Sequence, residues 1–482
     1  MSAGTVYLSA ASRRYADAPP PPTAPPGDPG GVAELRRRMT AVCESAVDAL
    51  EVAAALEADG LSDQAVRTRY GFPDVFALAE DLYRRVPRRP AEPPEAPEPW
   101  QVKPAEHVVN GLLYAVPAVC FPVAAPLLAG RAALVGFLVA TLASWALSQG
   151  LAYLGHARAG RLDPGGSRWI LRAGAGVALA VLWGVLAAST SLVPVPFAAL
   201  LFAGGQGTYL IAATVLLVRG KHRWLLLCLA PGVLGSAGFL VLGRPAWFAH
   251  PVWWTLGATI AATLGCAAAC TARPGPVGGR VPAGHELRAA LPHVLFGLAA
   301  AGLLTYLVVA SHLTGQLSHL APLLATPLSL SMGAAEWSLY RYRRRTYRLL
   351  RTTRDPWEFA AGARRALLAA TARYLAATAV LLAVVAGAVA ASDQWRTPWV
   401  ALIECGAYLA LGGALFVALL LQSFRGTLVP PLACAAGLGV EAALTALARM
   451  DPAPAQLVTC AALAVLLLGY AGSVLAGATR HG

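Results

Sequence analysis

Residues 132–154 read AALVGFLVATLASWALSQGLAYL, twenty-three positions without a charged side chain. A helix needs about 20 mostly apolar residues to cross the hydrocarbon core of a bilayer. The run is therefore read as a membrane span. The next stretch, GHARAGRLDPGG at 155–166, brings in Arg158 and Arg161 at once. The abrupt change from uncharged to basic marks the point where the chain leaves the membrane.

The same pattern recurs along the chain. Twelve apolar runs are predicted to span: 107–129, 132–154, 171–190, 196–218, 224–243, 251–271, 289–311, 319–340, 368–391, 398–421, 429–448 and 457–477. Several contain Pro or Gly, as at Pro117, Pro122 and Pro126. Membrane helices tolerate such breaks where neighbours satisfy the freed backbone groups. Composition agrees: 57% of the 482 residues are hydrophobic and 13% are charged, against about 25% charged in a soluble domain. Mean hydropathy is +0.57. The expected fold is an all-α integral membrane protein with about twelve transmembrane helices in two six-helix halves, 105–271 and 289–478, joined by a connector at 272–288.

The loops set the orientation. With the N-terminus inside, the inner side carries twenty-seven Lys and Arg, including Arg84, Arg85, Arg158, Arg161, Arg219, Arg288 and the ten arginines from Arg341 to Arg373. The outer side carries four: Arg131, Arg244, Arg396 and Arg449. Basic residues concentrate in cytoplasmic loops. Both termini are thus expected in the cytoplasm of a multi-pass plasma-membrane protein. Most of the net charge of +13 is topological on this reading. Trp247, Trp253, Trp254, Trp395 and Trp399 fall near outer interfaces, which indole rings favour.

The first hundred residues differ. Residues 1–32 hold PPPPTAPPGDPGG, read as an extended tail with no signal-peptide h-region. Residues 33–86 have apolar positions at helical spacing, with Gly60 as a stop, Ser62 or Asp63 as an N-cap and Pro73 near the start of a third helix. They are read as a small helical cytosolic domain that takes a protein partner. Arg67 and Arg69 in GLSDQAVRTRYG are a weak helix-turn-helix signal, and nucleic acid is not the expected partner. Residues 87–104 form a second proline-rich linker.

Charged or amide side chains within spans default to functional candidates. Glu441 in GLGVEAALTALA, Glu404 in ALIECGAYLALGG and Gln206 in FAGGQGTYL are the candidates for substrate contact or ion coupling. A buried carboxylate can hold a proton or a cation, or pair with an arginine; the competing reading of each is an interhelical hydrogen bond. Asn110, Gln149, His293 and Glu336 lie near span ends, where polar groups are cheap. Arg341, Arg343, Arg344, Arg345, Arg348 and Arg351, in YRYRRRTYRLLRTTRDPWEFAAGARR, would meet the anionic lipids of the inner leaflet; topological anchoring is the alternative. Seven of the eight cysteines lie in apolar segments and read as small hydrophobes. Cys266 and Cys270 share a helix face without a complete metal-ligand set. Walker A, GxSxG, HExxH and CxxC motifs are missing, so no catalytic residue, metal or cofactor is expected.

Twelve spans, both termini inside and a six-plus-six division resemble the flippase and exporter superfamily of multidrug, oligosaccharidyl-lipid and polysaccharide transporters. The likeness is one of architecture over residues 105–478. The major facilitator fold shares the outline, but its loop after the second helix carries Gly, Asp, Arg, Gly, Arg; here Gly155, Gly160 and Arg161 stand without the Asp. The stretch DVFALAEDLYRRVP, 74–87, ahead of the spans also resembles polytopic membrane proteins of high-GC actinobacteria. The first resemblance implies a transporter or flippase, exporting a lipid-linked saccharide or other cell-envelope precursor by alternating access. The rival reading is a non-transporting scaffold or sensor with a cytosolic interaction domain. A polar central cavity between the halves would favour transport, and a solid bundle the scaffold.

Overall fold

The structure, a computed structural model, describes residues 29–87, 113, 116–128, 130–272, 282–315, 321–353, 355–391, 398–424 and 428–477. The tail before residue 29, most of the 87–104 linker, Lys103, Asn110, Trp395 and most of the 272–288 connector lie outside the described residues. Two compact units divide at Gln101 and Val102.

The first unit has four helices: α1 (Pro29–Ser45), α2 (Ala49–Ala58), α3 (Asp63–Tyr70) and α4 (Val75–Arg85). The continuous helix expected from residue 33 to Gly60 is broken at 46–48. There Asp48 turns extended and its carboxylate accepts from the Glu51 N–H at 3.0 Å, starting α2 afresh. Ser62 caps α3, and Asp74 caps α4 with Pro73 just ahead of it. Asp63 ties the two together by accepting from the Val75 N–H at 3.0 Å. Leu35, Cys43, Val52, Leu56, Val66, Leu78 and Leu82 form the core. Arg67 donates to the Pro73 carbonyl at 2.6 Å, so this guanidinium braces the α3–α4 turn.

In the second unit, a broken apolar stretch, Val116–Leu128, precedes α5 (Arg131–Gly160), α6 (Pro164–Leu192), α7 (Phe197–Val218), α8 (His222–Val241) and α9 (Ala246–Thr271). Then come α10 (Gly284–Thr314), α11 (Ala321–Thr352), α12 (Pro356–Ala391), α13 (Pro398–Ser423), α14 (Val429–Ala446) and α15 (Pro452–Val474). Among the described residues, ten of these helices are long and apolar enough to cross a membrane. The two exceptions have physical causes. The first predicted span, where Pro117, Pro122 and Pro126 withhold backbone donors, alternates between 3-10 and α turns. The eighth lies in α11, whose first twenty residues hold Pro322, Thr326, Pro327, Ser329, Ser331, Glu336 and Ser338 and so lack a sufficiently apolar stretch; the helix also runs twelve residues past the predicted end at 340.

Each half has its own core. Leu171, Leu182, Ile211, Leu216 and Leu225 lie at the centre of the first; Leu303, Tyr408, Leu411, Val417 and Leu467 occupy that of the second. The halves also repeat one packing scheme. In each, the second helix packs on the third and fourth, the fourth on the sixth, the fifth on the sixth, and the first on the fifth. An even number of spans per half lets the two repeats run in the same direction, related by an axis along the membrane normal.

The halves meet along α5 and α10, which run antiparallel. Small residues bring them close. A Cβ on Gly297 would sit 2.7 Å from the Trp145 carbonyl oxygen and 3.0 Å from the Ala146 Cα, so only glycine fits there. The Tyr153 and His293 rings stack at 4.3 Å along the same seam.

Candidate functional site

Glu441 projects from α14 and is fully buried. α14 is an amphipathic case in reverse. Val440 and Leu432 are exposed, as lipid-facing side chains are, whereas Cys434, Gly437 and Glu441 lie on the face turned to α10 and α15. On α15, Cys460 donates its S–H to the Glu441 Oε1 at 3.1 Å. On α10, the Tyr306 hydroxyl donates to the Glu441 backbone carbonyl at 2.8 Å and shares a short hydrogen bond with Thr445. Gln456 of α15 donates to the Leu303 carbonyl at 2.9 Å.

This network is incomplete. Glu441 Oε2, Gln456 Oε1 and the Thr459 hydroxyl are buried with no hydrogen-bond partner among the described residues. No Lys, Arg or His pairs with Glu441 there either. A buried anion without a compensating charge is strongly disfavoured. The carboxylate can be satisfied by taking a proton or a small hard cation. No cluster of three His, Cys, Asp or Glu is assembled among the described residues, so nothing points to a transition metal.

The repeat gives this site a counterpart in the first half. Arg244 and Arg449 follow the fifth helix of their halves, and both adopt left-handed backbone angles, φ +60° and +54°. Eight residues before each lie Ser236 and Glu441. Ser236 is likewise fully buried, beside Cys120 of the first span. The architecture is duplicated, but the carboxylate is present in one copy only.

The other sequence candidates are dispersed. Glu404, 4% exposed on α13, lies beside Tyr408 and outside the Glu441 network. Gln206 sits on α7 in the other half, flanked by Gly205 and Gly207 that pack against Ile260 and Leu182; its Oε1 is buried without a partner. The arginines of α11 divide by face: Arg343 lies over the Phe424 ring at 5.6 Å, Arg341 over Trp337 at 5.8 Å and Arg351 over Tyr347 at 5.9 Å. Arg344 and Arg348 engage neighbouring groups, and Arg345 is exposed.

A second polar group joins the halves at one end of the seam and was not singled out from the sequence. Glu286, in the first turn of α10, accepts from Arg158 at 2.8 Å and from Arg161. Arg158 also reaches Asp163 at 3.4 Å. Asp163 caps α6 through the Gly166 N–H at 2.7 Å. Glu286 and Arg158 are nearly buried, with side-chain exposures of 6% and 11%. Their sequence signal was only that of loop charges, because 125 residues or more separate the partners. Cys460 and Cys228 were read as hydrophobes; Cys460 is a donor to Glu441, and Cys228 lies 3.5 Å from Cys266, sulfur to sulfur.

The best-formed cavities among the described residues are apolar. One of about 200 Å³ lies in the first half between Val123, Leu127, Phe239, Arg244 and Trp253. One of about 60 Å³ lies in the seam, between Leu134, Leu138, Val309 and Leu313. Neither is the polar central cavity that would favour transport; by that criterion the closely packed α5–α10 seam favours the scaffold reading, and the transport reading rests on Glu441 instead.

These features define a polytopic all-α membrane protein of two six-helix halves. No protein-family model matches the chain, and no curated protein matches it. Among solved structures it is similar to a MATE P26A mutant (12% identity, TM-score 0.46). It is also similar to a multidrug resistance MATE family transporter of the MOP superfamily, in an outward-facing conformation (11%, 0.48), and to a MATE in complex with Br-NRF (10%, 0.46). Each likeness covers 78% of this chain and 96% of the other.

Proposed function

We propose that the chain is a membrane transporter or flippase that exports a lipid-linked saccharide or other cell-envelope precursor by alternating access between its halves. The observation that carries this reading is Glu441: a fully buried carboxylate with one oxygen unsatisfied and no cationic partner among the described residues. A purely structural network would gain by being completed or replaced with apolar groups. A site that must load and release a proton or cation is left incomplete. On the orientation given by the basic loops, Glu441 lies toward the outer side and the Glu286 ion cluster closes the cytoplasmic end. Both termini are then cytoplasmic and the membrane is the plasma membrane.

The test uses Glu441→Gln, which keeps shape and removes the charge. In proteoliposomes holding a fluorescent short-chain prenyl-pyrophosphate saccharide, dithionite accessibility reports flipping under an imposed proton or sodium gradient. Wild type should respond to one gradient, and the variant should lose about tenfold or more of that stimulation. Unfolding temperature gives a substrate-free readout: sodium or acid should stabilise wild type and leave the variant unmoved. Equal behaviour of the two proteins in both measurements would end the coupling role.

A further inference from the structure

α8 and α9 form the last hairpin of the first half, and small residues set their spacing. The Gly232 N–H donates to the Thr259 hydroxyl at 2.8 Å. A Cβ on Gly232 would sit 2.7 Å from the Thr259 Oγ1, and one on Gly235 would collide with the Thr255 hydroxyl. The two backbones are thus as close as glycine allows. One turn further along the same antiparallel register, the Cys228 and Cys266 sulfurs meet at 3.5 Å.

Packing as small hydrophobes asks nothing of where two sulfurs lie relative to each other. Here they touch, across helices whose separation other residues fix. The two thiols differ in access: Cys228 is buried and Cys266 is half-buried. An accessible thiol beside a second one is the arrangement of a reacting cysteine and its resolving partner. Both lie within the spans, about 9 Å along α8 from His222 and about 8 Å back along α9 from Thr271. Charged oxidants are kept from that depth by the cost of burying charge in lipid. An uncharged hydroperoxide is not.

We propose that Cys228 and Cys266 form a modification site, which a hydroperoxide converts to a disulfide between α8 and α9. The Cys266 sulfur, as thiolate, attacks one peroxide oxygen and the O–O bond breaks. Cys266 becomes a sulfenic acid, and the departing hydroxide takes up the thiol proton as water. The Cys228 sulfur then attacks the sulfenic sulfur. The S–S bond forms, and the hydroxyl leaves with the Cys228 proton as a second water. The sulfurs close from 3.5 Å to a bond of about 2.05 Å, a shift that rotation about the two Cα–Cβ bonds supplies. The site stands apart from the Glu441 pocket and does not depend on the transport reading.

The full chain, in detergent and freed of reductant, is treated with hydrogen peroxide. Remaining thiols are alkylated, and the digested peptides are weighed. Peptides joined through Cys228 and Cys266 should appear, two hydrogens lighter than their sum. Alkylatable cysteines should fall by two from eight, and dithiothreitol should restore them. Cys228→Ser should stop the reaction at a sulfenic acid on Cys266, which dimedone traps. Cys266→Ser should leave Cys228 reduced. Cys270→Ser, one turn away on α9, should link as wild type does. Oxidised glutathione, which is charged, should link the pair at least about tenfold less than peroxide does. Equal linkage by the two oxidants would overturn the assignment to a hydroperoxide. A Cys266–Cys270 link in place of the expected one would overturn the pairing. Full alkylation of Cys228 and Cys266 in the peroxide-treated wild type would overturn the site.

Discussion

The chemistry of the Glu441 pocket turns on single atoms. Oε1 has one donor, the Cys460 thiol, and Oε2 has none among the described residues. Cys460→Ser keeps a donor at nearly the same place, whereas Cys460→Ala leaves the carboxylate without its side-chain hydrogen bond. One hydrogen bond to a charged group is worth about 1.5–3 kcal/mol. If the pocket binds a cation, the lost donor also frees Oε1 to coordinate. Cys460→Ala should then shift the midpoint of sodium- or proton-dependent stabilisation by about tenfold, and Cys460→Ser should move it little. A thermal-shift titration measures both, and identical midpoints would detach Cys460 from the site. The contrast with Ser236 at the equivalent position makes the same point. Replacing one residue in a repeated frame is enough to place a titratable group in one half and not the other.

At the scale of elements, the end of α5, the start of α6 and the start of α10 are held by one ion cluster. The Glu286 carboxylate sits at a helix N-terminus, where the dipole favours negative charge, and it also accepts from the Ala283 N–H at 3.1 Å. Glu286→Gln leaves the nearly buried Arg158 with less compensation and should cost about 2 kcal/mol. The cost should appear as a lower unfolding temperature and as faster reaction of a cysteine placed at Arg161 with an aqueous maleimide. The exchange Arg158→Glu with Glu286→Arg should restore part of the loss. Arg161 and Asp163 prevent full recovery, because each then faces a like charge. No rescue at all would show that the cluster does not act as an ion pair.

At the scale of the molecule, two halves with separate cores meet along one seam, which is the geometry that rocking requires. Tyr153 and His293 face each other across it. With both changed to cysteine in a background keeping Cys460, a bifunctional maleimide should cross-link α5 to α10. The cross-link should halt gradient-driven flipping. Continued flipping with complete cross-linking would rule out separation of the halves at that point. Orientation is tested independently: a cysteine at Arg345 should react only from the cytoplasm, and one at Gln316 or Gln394, both outside the described residues, only from outside. External labelling at 345 would invert the topology.

Periodicity and composition were sufficient for most of the helices, though not for the break at 46–48 or the irregular first span. Twenty apolar residues in a row admit one stable backbone in lipid, because every N–H and C=O must be satisfied within the segment. The run 132–154 thus specified α5 unaided, and the arginines after it marked its end. A cap was legible where a side chain acts on its own backbone, as at Ser62; the Asp163 cap of α6 was not read from the sequence. The sequence also singled out Glu441, because a carboxylate amid Gly437, Gly439, Ala442 and Ala443 is conspicuous by cost alone. What it left open was decided by packing. Whether Glu441 faces lipid or protein, and that Cys460, Gln456 and Tyr306 surround it, depends on how α10, α14 and α15 cross. The pairing of Glu286 with Arg158 likewise comes from helix contacts. Hydrophobicity drives a span into the bilayer, but lipid is as apolar as leucine and gives no preference for a neighbour. Partners are chosen by close fit and polar contact, and those exist only once the helices are side by side.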